Sequence, residues 1–430
     1  MARAMKDSGI EWIGEIPEGW EVDKTKHYYT NHKDIAGNRS EEFERLALTL
    51  NGVIKRPKDD STGLQPEAFN GYQIMRSGEL VFKLIDLENV STSRVGYSPF
   101  TGIVSPAYII LQPNEAEESL YGVYYFLSMW QREIFNHMGD DGVRSSLNAS
   151  DLLNIPYLRV PNGEKARIVS FLDAECARID AVIEQTRASI EEYKRLKQAI
   201  ITQAVTKGIR PGRKMKDSGV EWIGEIPEEW TLYKTKAIAK RIVVGVVIKP
   251  ADYFDDDGTV PFLRGINVKE YRVNNSPMVY INETTNEILS KSVVHAGDIL
   301  VVRDGSIGVS AVVPEEYDGA NVVSMIIVTC NDLVLPDYLC YSLNSDVGKT
   351  QFNLFKIGTA LTHTSVQSVS NLLHLVPPME EQIEIVNNLK SKVASFETLI
   401  QMKEKIIAEL ESYKKSLIFE YVTGKKEVKV

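Results

Sequence analysis

MKDSGIEWIGEIPEGW, Met5 to Trp20, returns almost unchanged as MKDSGVEWIGEIPEEW, Met215 to Trp230. Only Ile10/Val220 and Gly19/Glu229 differ. A string with two tryptophans and an Ile-Pro does not recur by chance. Either one small structural part is needed twice, or the whole chain is duplicated. A period this long points to domain duplication, because solenoid repeats are far shorter. After the first copy comes a mixed segment to about Val160, with β-type runs such as ELVF and AYIILQP between Gly/Pro/Asn punctuation. After the second comes a similar segment to about Pro377, containing GDILVVRDGSIG and VVSMIIV. Each then offers an expected helix (YGVYYFLSMWQREIFNHM, PDYLCYSLNSDVGKTQFNLF), a polar loop and a proline exit at Pro161 or Pro377-Pro378.

Two long segments come next, Glu164 to Lys207 and Glu380 to Thr423, without proline or internal glycine. Each ends in Val-Thr plus a glycine, Gly208 or Gly424, which reads as a helix stop. Val169, Leu172, Cys176, Ile179, Ile183, Thr186, Ile190, Tyr193, Lys197, Ile200 and Ala204 alternate three and four residues apart. So do Val386, Leu389, Val393, Phe396, Ile400, Lys403, Ile407, Leu410, Lys414, Leu417 and Tyr421. This is the a/d spacing of a coiled-coil seam. The two sets correspond position by position, and even their polar interruptions coincide, Thr186 with Lys403 and Lys197 with Lys414. At 1.5 Å rise per residue, a helix of roughly forty residues is about 60 Å long, more than most globular cores cover. The helices are therefore expected to pair with each other, antiparallel, with Thr186 facing Lys403 and Ile190 facing Ile400. The alternative is two amphipathic helices on separate cores. The repeated string, through Trp12/Trp222, Ile16/Ile226 and Trp20/Trp230, reads as a structural joint that pins the start of each mixed domain to that domain or to a helix base.

At 430 residues two domains are the prior. No apolar run approaches the ~20 residues of a membrane span, and the N-terminus lacks a secretory h-region. The three cysteines, Cys176, Cys330 and Cys340, form no CxxC pair, which fits a reducing cytoplasm and speaks against a zinc site or disulfide framework. A net charge of −10 and a pI of about 5.4 work against simple nucleic-acid binding, which expects a basic face. Catalytic motifs are missing. GKT at Gly348–Thr350 lacks the upstream glycine of a phosphate loop, and Asp255–Gly258 lacks calcium-loop spacing. His27, His32, His137, His295, His363 and His374 are scattered, and neither HExxH nor GxSxG occurs. No catalytic residue, metal site or cofactor is expected in this chain.

The two near-identical strings, each opening a mixed domain that leads into a long helix ending VTKG or VTGK, resemble the specificity subunit of Type I restriction–modification enzymes. The resemblance covers essentially the whole chain. It implies an α+β fold in which two mixed α/β target recognition domains are joined by two long antiparallel coiled-coil helices, with pseudo-two-fold symmetry from tandem duplication. The expected organisation is a joint (1–20), a first recognition domain (21–160), a first spacer helix (161–213), a second joint (214–230), a second recognition domain (231–377), a second spacer helix (378–424) and a tail (425–430). The resemblance also implies that each recognition domain reads one half of a split, asymmetric site in double-stranded DNA. The helices would set the half-site spacing and dock two methyltransferase subunits. Those partners, with restriction/motor subunits, would use S-adenosylmethionine, ATP and Mg, while this chain supplies no chemistry of its own.

Partner subunits would then supply much of the phosphate grip, leaving this chain a few base readers. Arg and Lys suit guanine, and Asn and Gln suit adenine. The candidates are Lys55, Arg56, Arg76, Arg94, Arg144, Ser145 and Asn148 in the first domain. In the second they are Arg264, Asn267, Lys269, Arg303, Ser306, Thr362 and His363. Arg94 and Arg303 sit beside turn glycines, where a side chain can project from a strand end. The competing reading is a non-catalytic scaffold with a duplicated ligand module and a coiled-coil dock, which the acidic charge favours.

Overall fold

The computed structural model describes residues 3–50, 52–60, 66–85, 87, 94–138, 146–275, 277–355 and 363–428. The chain divides into two compact units, Met1–Thr186 with Glu404–Val430, and Arg187–Lys403. The long helices are α1, Asn162–Lys207, and α2, Met379–Val422. Each unit holds the first half of one and the second half of the other.

Each repeated string folds as a small antiparallel hairpin. Met5–Asp7 pairs with Glu15–Pro17, and Met215–Asp217 with Glu225–Pro227, in the same register. Flanking residues fix each hairpin to a helix base. Trp20 is fully buried and its indole N–H donates to Glu164 Oε2 at 2.9 Å. Arg3 stacks 5.2 Å from the Trp20 ring and pairs with the same carboxylate. In the second unit Trp230 donates to Glu381 Oε2 at 3.0 Å, and Arg213 lies 5.5 Å from that ring and pairs with Glu381. Glu164 and Glu381 stand in the first turns of α1 and α2. The helix-stop glycines close the same joints. Gly424 has φ +71°, and a Cβ there would meet Pro17 Cδ at 2.5 Å and the Trp20 ring at 3.0 Å. Gly208 has φ +76°, and a Cβ there would meet the Trp230 ring at 3.2 Å. Trp12 is half-buried against Tyr125, with ring centroids 5.9 Å apart. Its counterpart Trp222 is more exposed, at 39%.

Both units contain a four-stranded sheet of one topology. In the first, β1 (Tyr29–Asn31), β2 (Leu80–Phe82), β3 (Val95–Tyr97) and β4 (Ile109–Pro113) lie in the order β1-β4-β2-β3. In the second, β5 (Ala239–Val244), β6 (Ile299–Val302), β7 (Ser310–Val312) and β8 (Met325–Cys330) lie in the order β5-β8-β6-β7. A parallel pair extends each domain, Arg45–Thr49 with Gly102–Val104 and Val260–Leu263 with Asn321–Val322. The turn into the central strand is the same device built from different residues. Glu79 Oε2 accepts from Arg76 N at 2.7 Å, and Asp298 Oδ2 from His295 N at 3.0 Å, each carboxylate being buried. Gly78 and Gly297 supply the left-handed corner at φ 94° and 88°.

Within each unit the two helix halves run antiparallel. In the first, the Phe171 and Tyr421 rings are 4.4 Å apart, and Lys414 Nζ reaches Asp180 at 2.6 Å. In the second, Lys403 lies 5.4 Å over Tyr193 and Lys197 lies 3.7 Å from Glu397. Leu172, Ile179 and Ile183 are buried in one core with Leu417, Ile418 and Val422, and Val169, Ile407 and Leu410 pack against it. Val386, Leu389 and Val393 are buried in the other core with Ile201, Ala204 and Val205. Ile190 is also buried, and Phe396 and Ile400 are half-buried. The polar interruptions are satisfied locally. Thr186 Oγ1 donates to the Val182 carbonyl of its own helix at 2.7 Å, and Lys403 takes the Tyr193 ring.

Candidate nucleic-acid interface

In the second unit, backbone bonds gather several loops at one end of the sheet. Beyond β5, Gly245 N donates to Met325 O at 2.8 Å and Val246 N to Val322 O at 2.9 Å. Ser324 N donates back to Val246 O at 2.9 Å, and Ser324 Oγ to Asp304 Oδ2 at 2.7 Å. Asp304 forms an antiparallel bridge with His363, and Thr364 N donates to Arg303 O at 3.1 Å. Val323 N donates to Leu263 O at 2.8 Å, which brings Arg264 to the same rim. Four of the candidates, Arg264, Arg303, Ser306 and His363, therefore lie on neighbouring segments, although they are distant in sequence. Ser306 is exposed, and Arg303 and His363 are half-exposed. Arg264 is partly spent, because its Nη2 donates to the Pro277 carbonyl at 2.8 Å. Lys269 is exposed on a separate small hairpin, Val268–Lys269 with Arg272–Val273.

Asn267 is a correction. It is fully buried, its Oδ1 accepts from Arg264 N at 3.0 Å, and its Nδ2 donates to Asn274 O and Pro277 O. An amide committed to closing its own loop is no reader. Thr362 lies outside the described residues, as do Arg144 and Ser145 in the first unit.

The first unit repeats the same junction. Ile85 bridges Ser146, and Leu147 N donates to Leu84 O at 2.9 Å, as Thr364 does to Arg303. Leu84, which is buried, is thus the counterpart of Arg303. Arg94 occupies another place. Lys83 N donates to Arg94 O as Val302 N does to Val309 O, so Arg94 corresponds to Val309 in the strand pair. Its side chain is wholly buried, with Nη1 donating to the Ile85 carbonyl at 2.8 Å. It does not project from a strand end, and that expectation is withdrawn. Asn148 caps the short helix Ala149–Asn154 in a reciprocal box with Asp151, a structural task that its counterpart Ser365 performs for Val366–Ser370.

The candidate cations of the two domains differ in their partners. In the first, Lys55 pairs with Glu44 at 2.5 Å, Arg56 with Asp60 at 2.7 Å, and Arg76 with Asp34 at 2.8 Å. Arg39, with Arg76, holds the Asp34 carboxyl below the usual range. In the second, Lys249, Lys269 and Arg303 carry no ion pair among the described residues. The acidic total therefore coexists with cations that no described carboxylate neutralises.

Burial holds two of the cysteines and one of the histidines in their neutral forms. Burial pushes the thiols of Cys176 and Cys330 up to about 11 and about 12, away from thiolate. His374 is buried, its pKa pushed down to about 3 by desolvation, and it sits neutral between Thr235 Oγ1 at 3.0 Å and Ser342 Oγ at 2.9 Å. A cleft of about 670 Å³ in the first unit is lined by Glu118 and Lys165, but these buried ions pair with each other and Tyr157 donates to Glu118. Among the described residues no group of three or more His, Cys, Asp or Glu is placed to hold a metal ion. No described helix is long and apolar enough to cross a membrane.

The sequence matches the family model for the Type I restriction modification DNA specificity domain over residues 227–412. Relatives align from end to end. The type I restriction enzyme MjaVIII specificity subunit of Methanocaldococcus jannaschii is 23% identical over 423 residues, covering 96% of this chain and 94% of the relative. The EcoKI specificity subunit of Escherichia coli strain K12 is 21% identical, over 96% and 90% of the two chains. Along nearly its whole length the chain is similar to Type I specificity subunits. Its fold agrees with a chain from a structure concerned with complex assembly and conformational transition of the type I R-M system. That chain has a TM-score of 0.71 at 14% identity, with 96% of this chain and 99% of the other covered.

The repeated joints contain two residues that sequence reading missed. Arg3 and Arg213 precede the strings by the same interval, in RAMKDSG and RKMKDSG, and Glu164 and Glu381 open both helices. The repeat thus extends upstream of the string, and that extension is the signal that locates the arginines.

Proposed function

We propose that this specificity subunit reads a split, asymmetric DNA sequence, one half with each mixed domain, and that its helices set the half-site spacing and dock two methyltransferase subunits. Those partners, together with motor subunits, would carry out S-adenosylmethionine-dependent adenine methylation and ATP- and Mg-dependent cleavage. The reading is carried by one observation: two domains share a strand order and an Arg-Trp-Glu joint but differ at their exposed loops. Joints that stay constant suit identical partners. Loops that differ suit two unlike half-sites. The duplex offers backbone symmetry with sequence asymmetry, and a duplicated reader matches both. The test is base-resolution mapping of N6-methyladenine in the source cell with and without this gene. Loss of methylation at one split motif is expected. An unchanged methylome in a cell whose methyltransferase is expressed and active would overturn the proposal.

A further inference from the structure

We propose that Ile248, at the tip of the loop after β5, is a base reader of the second domain that packs against the 5-methyl group of a thymine in the major groove. The inference rests on the proposed DNA-reading role and adds a residue that hydrogen-bond chemistry would not nominate. Ile248 is 75% exposed and its neighbour Val247 45% exposed. The loop is nevertheless held firmly at its base. Gly245 and Val246 make backbone bonds to Met325, Val322 and Ser324, and a Cβ on Gly245 would lie 2.4 Å from Val322 O. On the far side Lys249 adopts a left-handed φ of 42°, and Pro250 starts a short 3-10 turn. A non-glycine residue in that region carries strain, and strain of this kind collects at functional loops. A large apolar side chain is thus presented to water on a braced loop.

The surroundings name the occupant. Lys249, next in the chain, and Arg303, on the same rim, carry no ion pair among the described residues. Cations flanking an apolar tip complement a polyanion that also bears apolar groups. In the major groove of duplex DNA that apolar group is the thymine methyl, which an aliphatic side chain can cover while neighbouring polar residues take base edges. The corresponding rim of the first domain has Leu84 buried where Arg303 is half-exposed, so this combination belongs to the second domain.

The test uses the full chain co-expressed with the methyltransferase subunit of the same cell, on a duplex carrying the motif found by methylome mapping. Each thymine is replaced singly by deoxyuridine, which removes only the 5-methyl group. One position in the half-site of the second domain is expected to weaken wild-type binding about threefold to tenfold, the scale of one methyl group taken from water. Ile248→Ala should lose a similar factor on thymine DNA and no longer distinguish uracil there, while Ile248→Val keeps part of the discrimination. The proposal is overturned if no thymine of that half-site is sensitive in the wild type. It is equally overturned if Ile248→Ala discriminates as the wild type does, or if that variant loses the methyltransferase subunit and not the base preference. Absence of wild-type binding to the motif would instead tell against the recognition role itself.

Discussion

A tryptophan indole, an arginine and a glutamate carry each joint, and at Glu164 their chemistry makes the first joint sensitive to acid. Burial alone would raise the Glu164 carboxyl, but hydrogen bonds from Arg3 and Trp20 outweigh it and hold the group below its ordinary value. A carboxyl depressed in the folded state contributes stability above its unfolded value, about 4.3, and loses it as pH falls through the folded value. Glu164→Gln keeps an acceptor for Trp20 and removes the charge. It is expected to cost roughly 1.5 kcal/mol at neutral pH, allowing for partial solvent screening. The gap to wild type should close as pH drops below about 4, and urea titrations at several pH values read it directly. A gap independent of pH would mean that charge is not what Glu164 contributes. The residue scale is also where sequence reading was weakest. Arg94 and Asn267 have reader chemistry, yet one is sealed beneath the sheet and the other closes its own turn. Nothing in residue type separates a side chain turned outward from one turned inward. Strand pairing decides that, and the pairing of Lys83 with Arg94 is non-local information.

Elements end where the next element requires it, and the two long helices illustrate this with their last residues. Gly208 and Gly424 are both left-handed and both lie against a buried tryptophan. Gly219, inside the second hairpin, shares the left-handed φ at 72° but has no atom within 4 Å of a Cβ position. The two glycines Gly208 and Gly219 therefore separate packing from conformation. Gly219→Ala is expected to cost about 1 kcal/mol for the backbone alone. Gly208→Ala adds contact with Arg213, Glu381 and Trp230, and should cost about 3 kcal/mol in chemical denaturation. Equal costs would show that the tryptophan yields and that the joint is soft. The helices themselves were legible because a three-four spacing over many turns allows one structure. Their pairing followed from length, since a helix of 46 residues needs a partner as long as itself, and the antiparallel sense from the two-fold axis that such a pair gives a duplicated chain. The strands were legible as β-type runs only. Their order was not, because short runs such as ELVF carry no label for the neighbour they will pair with.

On the scale of the whole molecule, the chain's last segment belongs to its first domain. Leu417, Ile418 and Val422 of α2 are buried in the core that holds Trp20, and Tyr121 donates its hydroxyl to Val422 O at 2.8 Å. The second domain has the matching arrangement with Ile201, Ala204 and Val205 of α1, supplied from earlier in the chain. Each reader is thus completed by the end of the helix that belongs to the other copy. The duplication was plain from the repeated string, but this exchange was not, because the string fixes what repeats and leaves open which copy completes which. The arrangement makes a one-sided prediction. Ending the chain after Lys403 removes four buried apolar side chains, Leu417, Ile418, Phe419 and Val422, from the first unit, each worth about 1.5–3 kcal/mol, and takes nothing from the Arg187–Lys403 unit. Hydrogen exchange on that truncated chain should therefore show lost protection across Tyr29–Asn31, Leu80–Phe82 and Ile109–Pro113, with the strands Ile299–Val302 and Met325–Cys330 still protected. Loss in both sheets alike would mean that the domains fold as one cooperative body. A first sheet left intact would mean that its own helix half suffices to close the core.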